Sequence, residues 1–575
     1  MINHSLLAKW PYKEEKPLEY IIVDEAHNLT EKGYEFFSRV VNSKSAKYFL
    51  EEIYPYDNIQ KSALLYSNAK NKSRRIKPFD RFYSYIKVEK NVKDKISRNI
   101  NLIVEEMNSI LDYGKFNYNN VSEYNLSWEL NLQKNEILGK LIKNNVWTEI
   151  TYENYTENIK LSCDNIIKNL TSILFLIGRY MDDDSLDKES EVYIYGKSKM
   201  NDIEEMRDTL QALLEYSEDD DFARIVDIDS NFENFEFRVV PLKLASLFED
   251  NILDKVEGAV FLSATLSVDN SMYYFKNTLG IDRVKNVSKI IEPLYDYKSR
   301  VKVLGLNDIC SYKNADFTTQ TGKIISDIYE ISDGNILSLF NSKRRQEETY
   351  DVLKKGESDK DISVYMNKTG IKYLKNIENK RSIVLGSKGC FEGVDVPGDG
   401  LTCVTLDKIP NISPQDPLYF SIMKKYNKSY YEINYPKMSI KIKQAMGRIL
   451  RSRYDYGCFV IFDVGTNNLS LKRLERELHG CNIVITGRRH LLKYIKNHLD
   501  RCRVEILKLI LHDIFKLPGL NEENDMNKIK EHINVHMKNR CIKSEVYQVD
   551  QTKKLFKIKY FGKKYLIDKE QFRYK

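Results

Sequence analysis

Asp24-Glu25-Ala26-His27 follows the apolar run Tyr20-Ile21-Ile22-Val23. A short β-branched run of this kind predicts a strand buried on both faces of a parallel sheet. Open α/β sheets bind their ligands at the carboxyl ends of such strands. Two adjacent carboxylates there suit Mg²⁺, held directly or through water beside nucleotide phosphates. Asp24 fits the metal, and Glu25 fits both its surroundings and the role of a general base that polarises an attacking water. His27 would sense the γ-phosphate region. The same residues also suit a strand followed by an acidic first helical turn, which the helix dipole favours.

Three further groups carry chemistry. In Phe261-Leu262-Ser263-Ala264-Thr265, small hydroxyl residues follow an apolar run, so Ser263 and Thr265 are placed to hydrogen-bond the acidic site from a neighbouring strand. Taken alone, Ser263, Ala264 and Thr265 equally make an ordinary helix cap. The segment from Gly386 to Gly398 holds four glycines in thirteen residues, which let backbone approach a ligand closely. Glu392 and Asp395, flanking Gly393, add acceptors, and Ser387 and Lys388 are suited to a phosphate; a Gly-rich surface turn would look similar. Finally, Gln444, Gly447, Arg448 and Arg451 have the i, i+3, i+4, i+7 spacing of one helix face, with Ile442, Ala445, Met446 and Ile449 behind them. Arginines on such a face match a triphosphate in bidentate geometry, although a solvated basic face has the same pattern.

The elements that must position these residues follow from the texture of the chain. Its 575 residues are 42% hydrophobic and 30% charged, which excludes disordered and collagen-like classes and allows several cores. A net charge of +7 permits a polyanionic partner without requiring one. Apolar stretches fall short of a membrane span, and the N-terminus lacks the basic and apolar regions of a signal peptide. The eight cysteines are scattered with no C-x-x-C, which points to a reducing cytoplasm and away from a disulfide framework or zinc ribbon.

Between about Thr30 and Asn234 the apolar residues recur at helical spacing. Examples are Ile96, Ile100, Val104, Met107 and Leu111, then Ile166, Leu170, Leu174 and Ile177, then Ile203, Met206, Leu210 and Leu213. This predicts a helical insertion whose acidic runs, Asp182–Asp184 and Glu218–Asp221, are solvated loops. From Val256 onward, short apolar runs return at Ala259–Leu262, Ile336–Phe340, Ser382–Leu385, Cys403–Leu406 and Cys458–Phe462, the alternation of an α/β domain. After Asn482 the pattern is helical again and ends in a small β-meander near Tyr547–Tyr574.

Together these motifs resemble the superfamily 2 DEAH-box helicases, more narrowly the DinG-type, XPD-like branch of ATP-dependent DNA helicases. The resemblance rests on Asn3-His4-Ser5-Leu6-Leu7 ahead of the DEAH box, Ser263-Ala264-Thr265, Phe340-Asn341-Ser342, the Phe391–Gly398 segment, Lys408-Ile409-Pro410 with Ser413-Pro414-Gln415-Asp416-Pro417, and Gln444–Arg451. It covers about 1–463, with the insertion matching by position only. It implies an α/β fold with two RecA-like motor domains and ATP and Mg²⁺ between them. The insertion would correspond to an arch along the path of single-stranded DNA or a forked duplex. ATP hydrolysis would be coupled to 5′-to-3′ translocation. On this reading residues 1–34 and 238–300 form the first motor domain, 35–237 the insertion, 301–490 the second motor domain, and 491–575 a helical and basic β extension.

The sequence departs from the family in one respect. It contains no complete G-x-x-x-x-G-K-S/T loop; Gly196-Lys197-Ser198 has the right ending, but Glu191 stands where the first glycine belongs. No cysteine has the position of the relatives' iron–sulfur ligands, so no such cluster is expected. The first motor domain thus reads as truncated. A misplaced start, a separate polypeptide carrying the N-terminal helicase half, and an ATPase-inactive nucleic-acid-binding or scaffold module are the three explanations. A nuclease is a further class, but no second group of carboxylates suits two metals. In the tail from Lys543, ten Lys/Arg against four Asp/Glu give +6, most of the chain's net charge. Phe556, Ile558 and Tyr560 alternate with Lys557 and Lys559, so a strand there either packs its rings on the motor domain or offers them to bases.

Overall fold

The computed structural model describes His4, Leu7 and 18–568, apart from 55–77, 119–125, 132–135, 139–140, 144–145, 149–152, 216–220, 230–231, 333–334, 356–362, 376–380, 392, 414–415, 466–467, 516–524, 541, 543, 551–554 and 561–562. The chain folds as two compact units. Unit 1 comprises Met1–Ser263, Phe275–Lys285 and Ser413–Ile433; unit 2 comprises Ala264–Tyr274, Asn286–Ile412 and Asn434–Lys575.

Unit 1 begins with β1 (Tyr20–Val23) and continues through β2 (Arg39–Asn42), β3 (Leu126–Asn131), β4 (Glu136–Leu138), β5 (Leu141–Lys143), β6 (Val146–Thr148), β7 (Phe222–Ile228), β8 (Phe235–Pro241) and β9 (Gly258–Phe261). The helices expected from apolar spacing are present at Lys90–Tyr118, Glu153–Met181 and Glu191–Leu214. Ile96, Ile100, Met107, Ile166, Leu170, Ile177, Ile203 and Leu213 are buried in one shared core. The insertion is not purely helical, however. β2, β8, β7, β3 and β4 form a five-stranded antiparallel sheet in that order. One face, with Val226, Ile228, Phe235 and Phe237, joins the helical core. The other, with Ala223, Ile225, Val240 and Leu242, packs on Ile422 of the helix Pro417–Tyr426. Helical spacing is a strong signal over many turns. β7 is largely buried on both faces, so its sequence shows no alternation to read.

The acidic runs behave differently from one another. Asp182, Asp183 and Asp184 are exposed, with Asp183 capping the Ser185 amide at 2.9 Å. Glu218, Asp219 and Asp220 lie outside the described residues. Asp221 is more than a solvated charge: it accepts the Tyr426 hydroxyl at 2.7 Å, and Lys243 reaches both Asp221 and the Tyr426 ring.

Unit 2 is built on β10 (Val301–Leu306), β11 (Ile336–Leu339), β12 (Ser363–Met366), β13 (Ser382–Gly386), β14 (Cys403–Lys408), β15 (Gly457–Asp463) and β16 (Ile483–Thr486). They form one wholly parallel sheet in the order β12-β13-β11-β14-β15-β10-β16. β11, β13, β14 and β15 were expected from their apolar runs, and each is buried along its length. β10, β12 and β16 were not. Lys302 and Gly305 interrupt β10, and β12 and β16 are partly exposed edge strands.

The helix Arg488–Phe515 buries Leu491, Ile495, Leu499, Ile506 and Ile510 in the same core as this sheet. The C-terminal meander is β17 (Ser544–Asp550), β18 (Leu555–Tyr560) and β19 (Lys563–Asp568), all antiparallel. Phe556, Ile558 and Tyr560 are fully buried in that core, which removes these rings from any stacking on bases.

The rejected Gly196-Lys197-Ser198 motif has a packing explanation. Gly196 lies inside the helix Glu191–Leu214, and a Cβ there would stand 2.1 Å from the ring of Phe82, itself fully buried. In Glu153–Met181, by contrast, a Cβ on Gly178 would meet nothing within 4 Å. Gly196→Ala is therefore expected to cost about 1–3 kcal/mol through overpacking. Gly178→Ala should be neutral or stabilising by up to about 1 kcal/mol through helix propensity. Denaturant unfolding of the two variants checks this, and equal effects would remove the packing explanation.

Candidate active site

β1 and β9 run parallel with Val23 opposite Phe261, so their carboxyl ends lie side by side. The pairing continues past the strands, with Leu262 N donating to Val23 O and Ala26 N to Leu262 O, both at 2.9 Å. The chain turns sharply at Glu25, whose φ of 48° is in the left-handed region. That conformation is uncommon for a glutamate and is held here by the short helix Ala26–Asn28 that follows.

The turn brings three sequence-predicted residues together. Ser263 Oγ donates to Glu25 Oε2 at 3.2 Å, and His27 Nδ1 lies 2.8 Å from Ser263 Oγ and 3.3 Å from Glu25 Oε2. A hydroxyl has one proton to give. If Ser263 gives its proton to Glu25, it must accept from His27, which places a proton on Nδ1. The His27 ring is buried, its carbonyl accepts from Thr30 Oγ1 at 2.9 Å, and Glu25 remains 59% exposed. The glutamate is thus oriented from the protein side and open on the other.

Asp24 is also exposed; its Oδ1 accepts the Glu25 amide at 2.9 Å, and its carbonyl is bonded by His4 Nε2 at 2.9 Å. The described residues contain no group of three or more His, Cys, Asp or Glu able to cage a metal. An exposed aspartate beside a glutamate does fit Mg²⁺, which keeps several waters and takes one or two carboxylates together with phosphate oxygens.

One expectation about this strand is corrected. β1 is not buried on both faces: Ile21 and Val23 are buried, but Tyr20 and Ile22 are 70% and 75% exposed. The physical reason is its pairing. Among the described residues β1 bonds only to β9, in a two-stranded sheet whose second face is uncovered.

The Ser-Ala-Thr motif divides at the boundary between the units: Ser263 belongs to unit 1, Ala264 and Thr265 to unit 2, where Thr265 is buried. In unit 2 the Gly-rich segment follows β13. Gly386 packs on Cys390, Gly393 and Gly398 have φ of 71° and 62°, and Gly393 and Asp395 are exposed. Glu392 lies outside the described residues.

The arginine helix is also corrected. The helix Tyr430–Met446 stops before Gly447, and the turns that follow carry Arg448 and Arg451, so the four residues do not share one helical face. Gln444 and Arg448 are buried. Arg448 donates to Phe391 O at 2.8 Å and to Val394 O at 3.3 Å, and Arg451 Nη2 donates to Val394 O at 3.3 Å. Both arginines thus meet at the Gly-rich segment by tertiary bonding. The helix ends because Gly447 is a poor helix former and because Asp455 accepts the Arg451 and Ser452 amides, each at 2.6 Å. Asp455 was missed by the sequence reading; its only signal was the Ser452-x-x-Asp455 spacing.

Asp407 was missed as well. It joins two quoted motifs, accepting from Asn341 N and Nδ2 at 3.1 and 2.9 Å, and from Arg345 Nε and Nη2 at 2.8 and 2.7 Å. Next to it, Lys408 Nζ lies 3.6 Å from the centre of the Tyr312 ring. Burial, aided by the Arg345 charge, lowers the Lys408 ammonium to about 8.

Comparison with known proteins bears on these features. Residues 325–478 match the family described as the helicase C-terminal domain. The chain is 26% identical over 243 residues to the ATP-dependent DNA helicase YoaA of Escherichia coli, covering 40% of this chain and 36% of that protein. It is 28% identical over 271 residues to the 3'-5' exonuclease DinG of Bacillus subtilis, covering 44% of this chain and 29% of that protein. The chain therefore spans about a third of the length of these curated relatives. Among solved structures, the S. tokodaii Xpd4 chain superposes with a TM-score of 0.47 at 17% identity, covering 84% of this chain and 81% of that one. Residues 325–478 thus resemble a helicase C-terminal domain, and over 40% and 44% of its length the chain is similar to YoaA and DinG, respectively.

Proposed function

We propose that the chain supplies the hydrolysis side of an ATP-dependent motor that moves 5′-to-3′ on single-stranded DNA or at a forked duplex. The observation that carries this reading is Glu25, held by Ser263 and His27 at the joined ends of two parallel strands. Glu25 would take the proton of the attacking water, with Ser263 and His27 fixing its carboxylate. Asp24, with Glu25 beside it, would hold Mg²⁺, which neutralises charge on the phosphates when bound.

Arg448 and Arg451, with Gln444 and Gly447 next to them, would serve the triphosphate, and Gly393 and Asp395 would border the nucleotide, with Glu392 between them in sequence. In this structure both arginines donate to carbonyls of Phe391 and Val394. Arginine bonds to phosphate are stronger than those to neutral carbonyls, so an incoming triphosphate can draw them away. The phosphate-cradling loop, of which these 575 residues hold no complete match, would come from the N-terminal part of a longer chain or from a separate N-terminal helicase half. The second reading, a nucleic-acid-binding or scaffold module without ATPase activity, draws on that same missing loop.

The two readings separate in an ATPase assay with single-stranded DNA. The chain alone is expected to hydrolyse ATP poorly, and adding a polypeptide that carries the loop should raise the rate. In that assembly Glu25→Gln and Arg451→Ala should each lower kcat about 10³-fold or more, the scale of a lost base or finger. Ser263→Ala should lower kcat by a smaller factor and leave KM in place. Strong DNA-stimulated hydrolysis by the chain alone would rule out the split motor, and no hydrolysis in any combination would favour the scaffold reading.

The basic meander generates a separate expectation. Phe556 and Tyr560 are buried, Tyr547 is partly exposed, and lysines such as Lys559 and Lys564 remain to meet phosphates. Lys559→Gln with Lys564→Gln is expected to leave the affinity for single-stranded DNA and its salt dependence unchanged. A salt slope shallower by about one to two units would instead put these lysines on the nucleic acid.

A further inference from the structure

The matched helicase domain ends at residue 478, and nothing in that match accounts for the meander at 544–568. The meander nevertheless reaches the Gly-rich segment through buried hydrogen bonds. Tyr560 of β18 donates its hydroxyl to Asp399 Oδ1 at 3.0 Å, and Tyr456 donates to the same oxygen at 2.7 Å. Asp399 is fully buried. Burial pushes both phenols well above their ordinary range, so each stays an O–H donor at neutral pH. Arg503 supports the pair by donating to the Tyr456 oxygen at 3.3 Å and by bonding Ser332 O.

The neighbouring residue continues the path. Gly398, with φ of 62°, turns its amide to Asp455 Oδ1 at 2.7 Å. The buried Asp455 carboxylate also takes Arg451 N, Ser452 N and Ser452 Oγ at 2.6, 2.6 and 2.8 Å. Four donors on one carboxylate fix the backbone that carries Arg451. Two adjacent buried carboxylate sites, one reached from β18 and one capping Arg451, are thus joined through the Gly398–Asp399 peptide.

We propose that the C-terminal sheet is a positioning element for Arg451, acting through Tyr560, Asp399, Gly398 and Asp455, with Asp455 as the positioning residue. Its value to catalysis rests on the reading of Arg451 given above, but the positioning itself does not. Asp399 stays where Gly398 can reach Asp455 because two phenols hold it. Loss of one phenol loosens the Gly398 turn and, through Asp455, the Arg451–Ser452 backbone. A meander that merely covered apolar surface would need a ring at position 560 and no hydroxyl.

The test is residue-resolved amide hydrogen exchange on the full chain carrying Tyr560→Phe, which keeps the ring. Exchange at Gly398, Arg451 and Ser452 is expected to rise about three- to tenfold, the effect of one net hydrogen bond, while amides of β11 stay unchanged. Asp455→Asn, which trades one acceptor oxygen for a donor, should raise exchange at the same three amides by at least as much. Unchanged exchange at these amides in either folded variant overturns the proposal. A second readout is the guanidinium carbon signal of Arg451, assigned with Arg451→Lys, which should shift in Tyr560→Phe without nucleotide. Faster exchange together with an Arg451 signal that ignores ATP and Mg²⁺ even when the polypeptide carrying the phosphate loop is present supports the positioning role and removes the triphosphate role of Arg451.

Discussion

The pairing of β1 with β9 is the constraint on which the candidate site depends. Val23 meets Phe261, Leu262 bonds back to Val23, and Ala26 bonds to Leu262. Only this pairing places Ser263 against Glu25 and His27. The two strands are far apart in sequence, and closing so long a loop costs entropy that a two-stranded sheet alone would struggle to offset. The insertion between them has its own helical core and its own antiparallel sheet. Those elements bring the ends of the loop together, so the insertion contributes to the geometry of a site it does not line.

The segment after Ser263 is held by polar bonds within unit 2. Ala264–Tyr274 belongs to unit 2, where Lys443 bonds the carbonyl of Ser267 and Arg473 bonds Asp269 through Nε at 3.0 and 3.1 Å. Lys443 is also paired with Glu477 at 2.7 Å, with both side chains buried. Tyr435 and Ser439 donate to the same glutamate, each at 2.7 Å. A buried ion pair is costly unless its remaining hydrogen-bonding capacity is met, and here it is. Such a pair fixes geometry more than it adds stability. The geometry at stake is that of Ser267 and Asp269 against Lys443 and Arg473.

Buried carboxylates that gather main-chain and side-chain donors recur as the organising device of unit 2. Asp407 gathers Asn341 and Arg345 at the carboxyl end of β14, Asp455 gathers the Gly398 and Arg451 backbones, and Asp399 gathers two tyrosines. Asp407 sits at the carboxyl end of β14, and Asp399 and Asp455 lie shortly before β14 and β15, in loops that leave backbone donors unpaired. Filling those donors with buried charge makes the loops rigid without regular structure. The cysteines play the opposite part. Cys403 and Cys458 are buried free thiols in β14 and β15, and burial raises the Cys403 thiol to about 12, so they pack as small apolar residues.

Local pattern was enough to identify Asp24, Glu25, His27 and Ser263 as one group, the long helices of the insertion, and four strands of the parallel sheet. Those features are written at short range, in an apolar run followed by carboxylates, in 3.6-residue spacing, and in β-branched clusters. Helix geometry extended past Gly447 by the same local logic failed. The direction of the chain there is set by Asp455 and by the carbonyls of Phe391 and Val394, groups remote or invisible in a periodic pattern. The exposure of Tyr20 and Ile22 was equally out of reach, because the residues of a strand do not say how many neighbours it has. What the sequence determined by itself is which residues are candidates for the chemistry, since residue type and spacing are local. What the tertiary structure decided is which of them meet, because hydrogen bonds between distant segments form only after the cores that carry those segments have closed.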